Sequence, residues 1–245
     1  MSMSGYNDNT NKDLYAFGPI AAAWRYELNN KFFRLKLLLT PLVFFAYSAL
    51  TQNAGRYVEM RKGVRLEDSL LGYFPMFDFS LFVFILLYTS MFAFIVLHLN
   101  RPRIILRMLE MTLFVAVVRQ ICILLVALEP PANLIILRDV FLENTFYPHQ
   151  TPLTKDLFFS GHVASIWIYF LCAQVKPLKY YLGFAALFMA FMVLSMHVHY
   201  TYDVYGAFFF TTVIYFINRW AGYYNLKAKE QLPEVSFYQY CTARL

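Results

Sequence analysis

Charge is scarce in this sequence. Only 15% of its 245 residues are Asp, Glu, Lys or Arg, against about 25% in an ordinary soluble domain. With 60% hydrophobic and 20% aromatic residues, that shortage excludes a soluble enzyme of ordinary composition, a disordered chain and a coiled coil. Cysteine is nearly missing. Of the three, Cys122 and Cys172 sit inside apolar runs and Cys241 lies in the tail, which excludes a disulfide framework and a cysteine metal cluster. The first 30 residues are too polar for a cleavable signal peptide, so the first apolar run is expected to act as anchor and targeting signal. No internal repeat and no low-complexity stretch is found.

What the chain has is long apolar runs. They cover Leu35–Gln52, Phe79–Leu99, Ile104–Leu128, Leu157–Gln174, Tyr180–His197 and Val204–Trp220. A helix rising about 1.5 Å per residue crosses the hydrocarbon with about 20 residues, and the last three runs are near the short end. Tryptophan and tyrosine mark several ends, as in an aromatic belt. Before them, Pro19 to Phe33 interleaves Trp24, Tyr26, Leu28, Phe32 and Phe33 with Arg25, Glu27 and Lys31, the pattern of an amphipathic segment at a membrane surface. The expected fold is all-α: a polytopic six-helix membrane bundle with an N-terminal amphipathic interfacial helix. Residues 1–34 form the N-terminal segment, 35–220 the six-span catalytic domain and 221–245 the tail.

The net charge of +6 would suggest nucleic acid in a soluble protein. Here the basic residues fall in short connections, so they orient the bundle and no nucleic-acid partner is expected. One set of connections holds fourteen of them, including Arg25, Lys31, Arg34, Lys36, Arg101, Arg103, Lys176, Lys179 and Arg219. The loops 53–78 and 129–156 hold six, with eight acids. The positive-inside rule then puts both termini in the cytoplasm and both long loops outside.

Ionisable residues within membrane segments are functional candidates by default. Arg107 and Glu110, three apart on the third segment, read as a pair that satisfies itself. Arg119 has no carboxylate near it in sequence; it either snorkels and pairs structurally or faces a cavity holding an anion such as phosphate. Two motifs stand on the outer side. Lys155, Asp156, Leu157, Phe158, Phe159, Ser160, Gly161 and His162 open the fourth segment, and His199, Tyr200, Thr201, Tyr202, Asp203 and Val204 form the turn before the sixth.

Together they suit phosphoryl transfer. A helix start with free amides favours an anion, and Ser160 and Gly161 place a small hydroxyl and an unhindered backbone there. His162 would be the general acid. His199 and Asp203, four apart, share a face if helical, so the carboxylate can fix the imidazole tautomer and leave a nucleophile. The other histidines read as structural: His98 beside a basic connection, and His197 pointing away from His199 on a helix. His149 lies in an outer loop between Pro148 and Pro152 and is a weaker candidate.

At these residues the sequence resembles the sphingomyelin synthase family, part of the type 2 phosphatidic acid phosphatase superfamily. The family's late motif is matched by His199, Tyr200, Thr201, Asp203, Val204 and Phe208. Its earlier motif is matched by Asp156, Ser160, Gly161 and His162, whereas Thr154, Lys155 and Val163 replace its Cys, Gly and Thr. Upstream, Pro75 and Asp78 keep the ends of a Pro-Leu-Pro-Asp stretch, and Arg119 stands where the family has an intramembrane arginine. The general lipid phosphatase signature fits less well: Phe94, Phe159 and Met192-Val193 replace its Lys, Pro and Ser-Arg. Those missing basic residues would bind a terminal phosphate, so their absence favours a phosphodiester substrate.

The resemblance implies a two-step exchange without metal or other cofactor. His199, oriented by Asp203, would attack the phosphorus of a glycerophospholipid donor, and His162 would protonate the departing diacylglycerol. The hydroxyl of a ceramide acceptor would then take the phospho-head group. Asp156 would tune His162 or the helix start, Arg119 would face the phosphate, and Ser160, Gly161, Tyr200 and Thr201 would contact substrate. Choline, ethanolamine and inositol head groups stay open, as does assembly into homo-oligomers. The chain shows no extra N-terminal domain of the kind some members carry, which fits a short bacterial homologue with a periplasmic site; in other members the site would face a lumen or the cell exterior. Hydrolysis by water at the same site, and a transporter or scaffold with a decayed site, are the competing classes.

Overall fold

The computed structural model describes residues 20–137 and 153–227. The polar start at 1–17, His149, the last 18 residues of the tail and Cys241 lie outside them. Among the described residues the fold is all-helical. Its elements are α1 (20–28), α2 (Lys31–Met60), α3 (Ser80–Leu97), α4 (Pro102–Leu125), α5 (Gly161–Cys172), α6 (Lys176–Ser195) and α7 (Thr201–Lys227), with a single 3-10 turn at Leu71–Tyr73. α2, α3, α4 and α6 are long and apolar enough to cross a membrane, which makes this a membrane protein. α5 has 12 residues, and α7, rich in tyrosine and threonine, falls below the same hydropathy.

Local chemistry sets the helix ends. Pro102 and Pro177 occupy the first turns of α4 and α6, where a missing N–H costs nothing. The expected amphipathic segment divides at Asn29 and Asn30: Asn30 Oδ1 accepts from the Phe32 and Phe33 amides and starts α2 there. α2 also runs eight residues past the expected end at Gln52, so the first long loop begins at Arg61 rather than at 53. Its last turn carries Glu59, whose carboxylate accepts from the amides of Thr154 and Lys155 at 3.0 and 3.1 Å. The expected Arg107–Glu110 pair is not made. Glu110 pairs instead with Lys36 of α2 at 2.9 Å, because α4 packs on α2 and brings a cation to its flank.

α5 is the hub. It packs against α3, α4, α6 and α7, and it buries Val163, Ala164, Ile166, Ile168, Tyr169 and Cys172. The two ends of the bundle are stitched separately. At one end His98, at the C-terminus of α3, accepts from the Gln174 amide just past α5, and Trp24 of α1 donates to Leu99. At the other end Val64 bridges Leu128, and Phe77 and Ile135 donate to Ser195 and Met196. α3 and α5 thus share one end, but their lengths of 18 and 12 residues differ by about 9 Å of helix. The start of α5 is therefore recessed by roughly that depth, and a cavity forms above it.

Candidate active site

The segment before α5 is not helical, which corrects the expectation of a helix from Leu157. Arg119 holds it open: its Nε donates to the Phe159 carbonyl at 2.6 Å and its Nη2 to the Asp156 carbonyl at 3.2 Å. Carbonyls engaged by a side chain cannot serve a helical ladder. α5 then starts at Gly161. A Cβ there would stand 3.2 Å from the Arg119 guanidinium, so glycine lets the arginine pass.

The second motif is built by capping. Its backbone turns through His197, which has a φ of 53° and whose Nδ1 lies 3.0 Å from the Ala132 carbonyl. His199 is not helical, since α7 begins at Thr201. Asp203, in the first turn, folds back so that Oδ2 accepts from the Tyr200 amide at 2.9 Å and faces His199 Nδ1 at 3.3 Å. This is the reaching-back half of a capping box, and it corrects the idea of a shared helical face. From the first long loop, Asp68 Oδ2 accepts from the Thr201 amide at 2.6 Å. The two motifs meet directly where the Ser160 amide donates to the Asp203 carbonyl at 3.1 Å.

The cavity above α5 measures about 400 Å³. Phe84 and Leu87 of α3, Arg119 of α4, Gly161, His162 and Ser165 of α5, and His199 line it, with Thr154, Asp156 and apolar residues of the second long loop. Arg119 Nη2 lies 3.0 Å from Asp156 Oδ2. The Phe84 and His162 rings meet edge to face at 5.8 Å. His199 is 2% exposed, and Asp203 is fully buried behind it. Among the described residues no group of three or more His, Cys, Asp or Glu side chains is placed to hold a metal.

Arg119, Asp156, Gly161, His162 and His199 are thus brought to one cavity, with Asp203 behind. Ser160, Tyr200 and Thr201 are not among its lining residues. Ser160 and Thr201 are buried, and their hydroxyls have no hydrogen-bond partner. Tyr200 is buried between the long loops, accepting from the Leu66 amide at 3.2 Å and donating to the Glu129 carbonyl at 2.9 Å. These three hold the site together from behind.

Sequence reasoning missed Phe84, Thr154 and Ser165 on the cavity wall and the acids that brace it. Lys155 Nζ bonds the Arg61 carbonyl at 2.8 Å and Glu129 at 2.9 Å. Hydrogen bonds from Lys155 and from the Gly63 amide hold the Glu129 carboxyl below its ordinary value. The alternation of Lys155 with Asp156 is the one local hint, since adjacent residues in extended chain point opposite ways.

No family model matches this sequence, and no curated protein matches it.

Proposed function

We propose that this chain is a membrane-embedded phospholipid head-group transferase. It moves a phospho-head group from a glycerophospholipid to ceramide through a phosphohistidine at His199 and releases diacylglycerol. The observation that carries this reading is one cavity lined by His199, backed by Asp203 at 3.3 Å, together with His162 and Arg119.

An ionised Asp203 keeps the proton on His199 Nδ1, and the Nε2 lone pair is left for attack. In the first step Nε2 bonds to phosphorus and the bond to the diacylglycerol oxygen breaks. His162, protonated, passes its proton to that oxygen. In the second step the primary hydroxyl of ceramide gives its proton to His162, its oxygen bonds to phosphorus, and the P–N bond breaks. Both histidines return to their starting states. Arg119 sits where it can face the phosphate throughout.

In this reading six helices, α2 to α7, cross the bilayer. α5 can be short because its neighbours, not lipid, surround it. α1 lies at the cytoplasmic surface, held by Trp24 and by a Glu27–Arg103 pair at 2.8 Å. Both termini are cytoplasmic, and the cavity faces the opposite side of the membrane. The resemblance to sphingomyelin synthases names donor and acceptor.

The test is a lipid-exchange assay on purified protein. Labelled ceramide is offered with phosphatidylcholine, phosphatidylethanolamine or phosphatidylinositol, and products are read by mass spectrometry. A phosphoceramide should form from at least one donor and be absent with His199→Ala. His162→Ala should lose about 10²–10⁴ in rate. Near-normal turnover in His199→Ala sinks the mechanism. Diacylglycerol without phosphoceramide would make the protein a hydrolase or give it another acceptor.

A further inference from the structure

α6 ends on an unusual residue. The His197 amide donates to the Leu194 carbonyl at 2.9 Å and the Val198 amide to the Val193 carbonyl at 3.1 Å. Those two bonds make a Schellman motif, with Met196 as the cap and His197 in the left-handed position that glycine usually takes. A residue with a β-carbon persists there only where its surroundings over-determine it. Here the second long loop does so. The His197 ring gives its Nδ1 proton to the Ala132 carbonyl at 3.0 Å, and the Ile135 amide donates to the Met196 carbonyl at 2.9 Å. Past the turn, the Tyr200 hydroxyl bonds Leu66 and Glu129, and the Thr201 amide bonds Asp68. His199 thus lies two residues beyond one anchored point and directly before the next.

We propose that His197 is a positioning residue for His199. Its left-handed backbone turns the chain off the end of α6, and its ring, bonded to Ala132, locks that turn so that the His199 imidazole meets both Asp203 and the cavity. The inference rests on the reading of His199 as the nucleophile. His197 itself stands apart from the reacting atoms. It is not among the residues that line the cavity, and its Nε2 is buried with no partner among the described residues. Three substitutions separate the two features. Asparagine keeps both, since it tolerates the left-handed region and carries an amide nitrogen as many bonds from Cα as the histidine Nδ1. Glycine keeps the backbone and removes the donor. Alanine removes the donor and opposes the backbone.

The experiment has two readouts on full-length protein in detergent. The first is head-group transfer to labelled ceramide from the same three phosphatidyl donors. His197→Ala should lower kcat by about 10²-fold with KM nearly kept, the effect of a misaimed reacting group. His197→Asn should keep most of the wild-type kcat, and His197→Gly should fall between. The second is the tautomer of His199, read by nuclear magnetic resonance of isotope-labelled histidine rings and assigned by its loss in His199→Ala. Wild type and H197N should hold the Nδ1–H form that faces Asp203, and H197A should show a mixture of tautomers. Wild-type kcat and an unmixed tautomer in H197A overturn the proposal. So does an H197N as impaired as H197A, which would give the ring's Nε2 a part in the reaction. If H197A does not fold, H197G decides in its place by the same two readouts. A protein whose tautomers follow this order but which transfers nothing falls as a transferase and keeps the positioning assignment.

Discussion

One carboxylate shows how much a single residue carries. Asp203 caps α7 by accepting from the Tyr200 amide, and the same oxygen faces His199. Helix capping and histidine orientation thereby share one carboxylate oxygen, so the position of the His199 ring is tied to the backbone geometry at the start of α7. Gly161 has a comparable double duty, starting α5 and leaving room for Arg119. In Gly161→Ala the added methyl would press on a guanidinium fixed by the Phe159 carbonyl at 2.6 Å and by Asp156. Small displacements of positioning groups cost up to about 10²-fold in rate. Head-group transfer by G161A should fall by about that factor with its unfolding midpoint nearly kept; unchanged kcat/KM would remove Arg119 from the mechanism. The Ser-Gly-His and His-x-x-x-Asp spacings were legible in the chain. The burial of Ser160, Tyr200 and Thr201 behind the cavity was not, because a motif does not reveal which of its side chains face in.

Among the elements, the loops do most of the positioning. The strand-like run after α2 bridges the one after α4 at Val64 and Leu128, and Gly63 makes this approach possible. A Cβ at Gly63 would stand 2.5 Å from the Leu128 carbonyl carbon and 2.8 Å from the Glu129 amide. Backbone cannot yield as a side-chain tip can. Gly63→Ala should cost about 1–3 kcal/mol, several degrees of unfolding midpoint in detergent. Gly72, with nothing within 4 Å of its Cβ position, is the control and should tolerate alanine. Equal midpoints for both variants would show that the bridge contributes nothing. Hydropathy located the apolar helices to within a few residues at most ends. It misplaced the ends of α2 and α7 and the start of α5: α2 continues through polar residues to Met60, α7 runs seven residues past Trp220 to Lys227, and α5 is delayed by Arg119.

Across the whole molecule, the alternation of helices puts the cavity at the end that carries the two long loops. The sparse positive charge of those loops places that end outside the cytoplasm in the proposed topology. Cysteine substitutions test this. Tyr73→Cys, at an exposed position beyond α2, should react with a membrane-impermeant maleimide on intact cells. Asn100→Cys, in the exposed turn between α3 and α4, should react only after permeabilisation. The opposite pattern would invert the bundle and move the cavity to the cytoplasmic face.

By itself the sequence determined that this is a helical membrane protein, because hydropathy over contiguous residues decides what a bilayer accepts. It also determined the candidate histidines, whose motifs are local. Only the tertiary structure decided that Arg119 pairs with Asp156, 37 positions away, that Glu110 pairs with Lys36 rather than Arg107, and that α5 stops short enough to leave a cavity. Those outcomes depend on which helices pack together. Packing is chosen by the fit of whole faces, and that fit is written across the chain rather than at any one stretch of it.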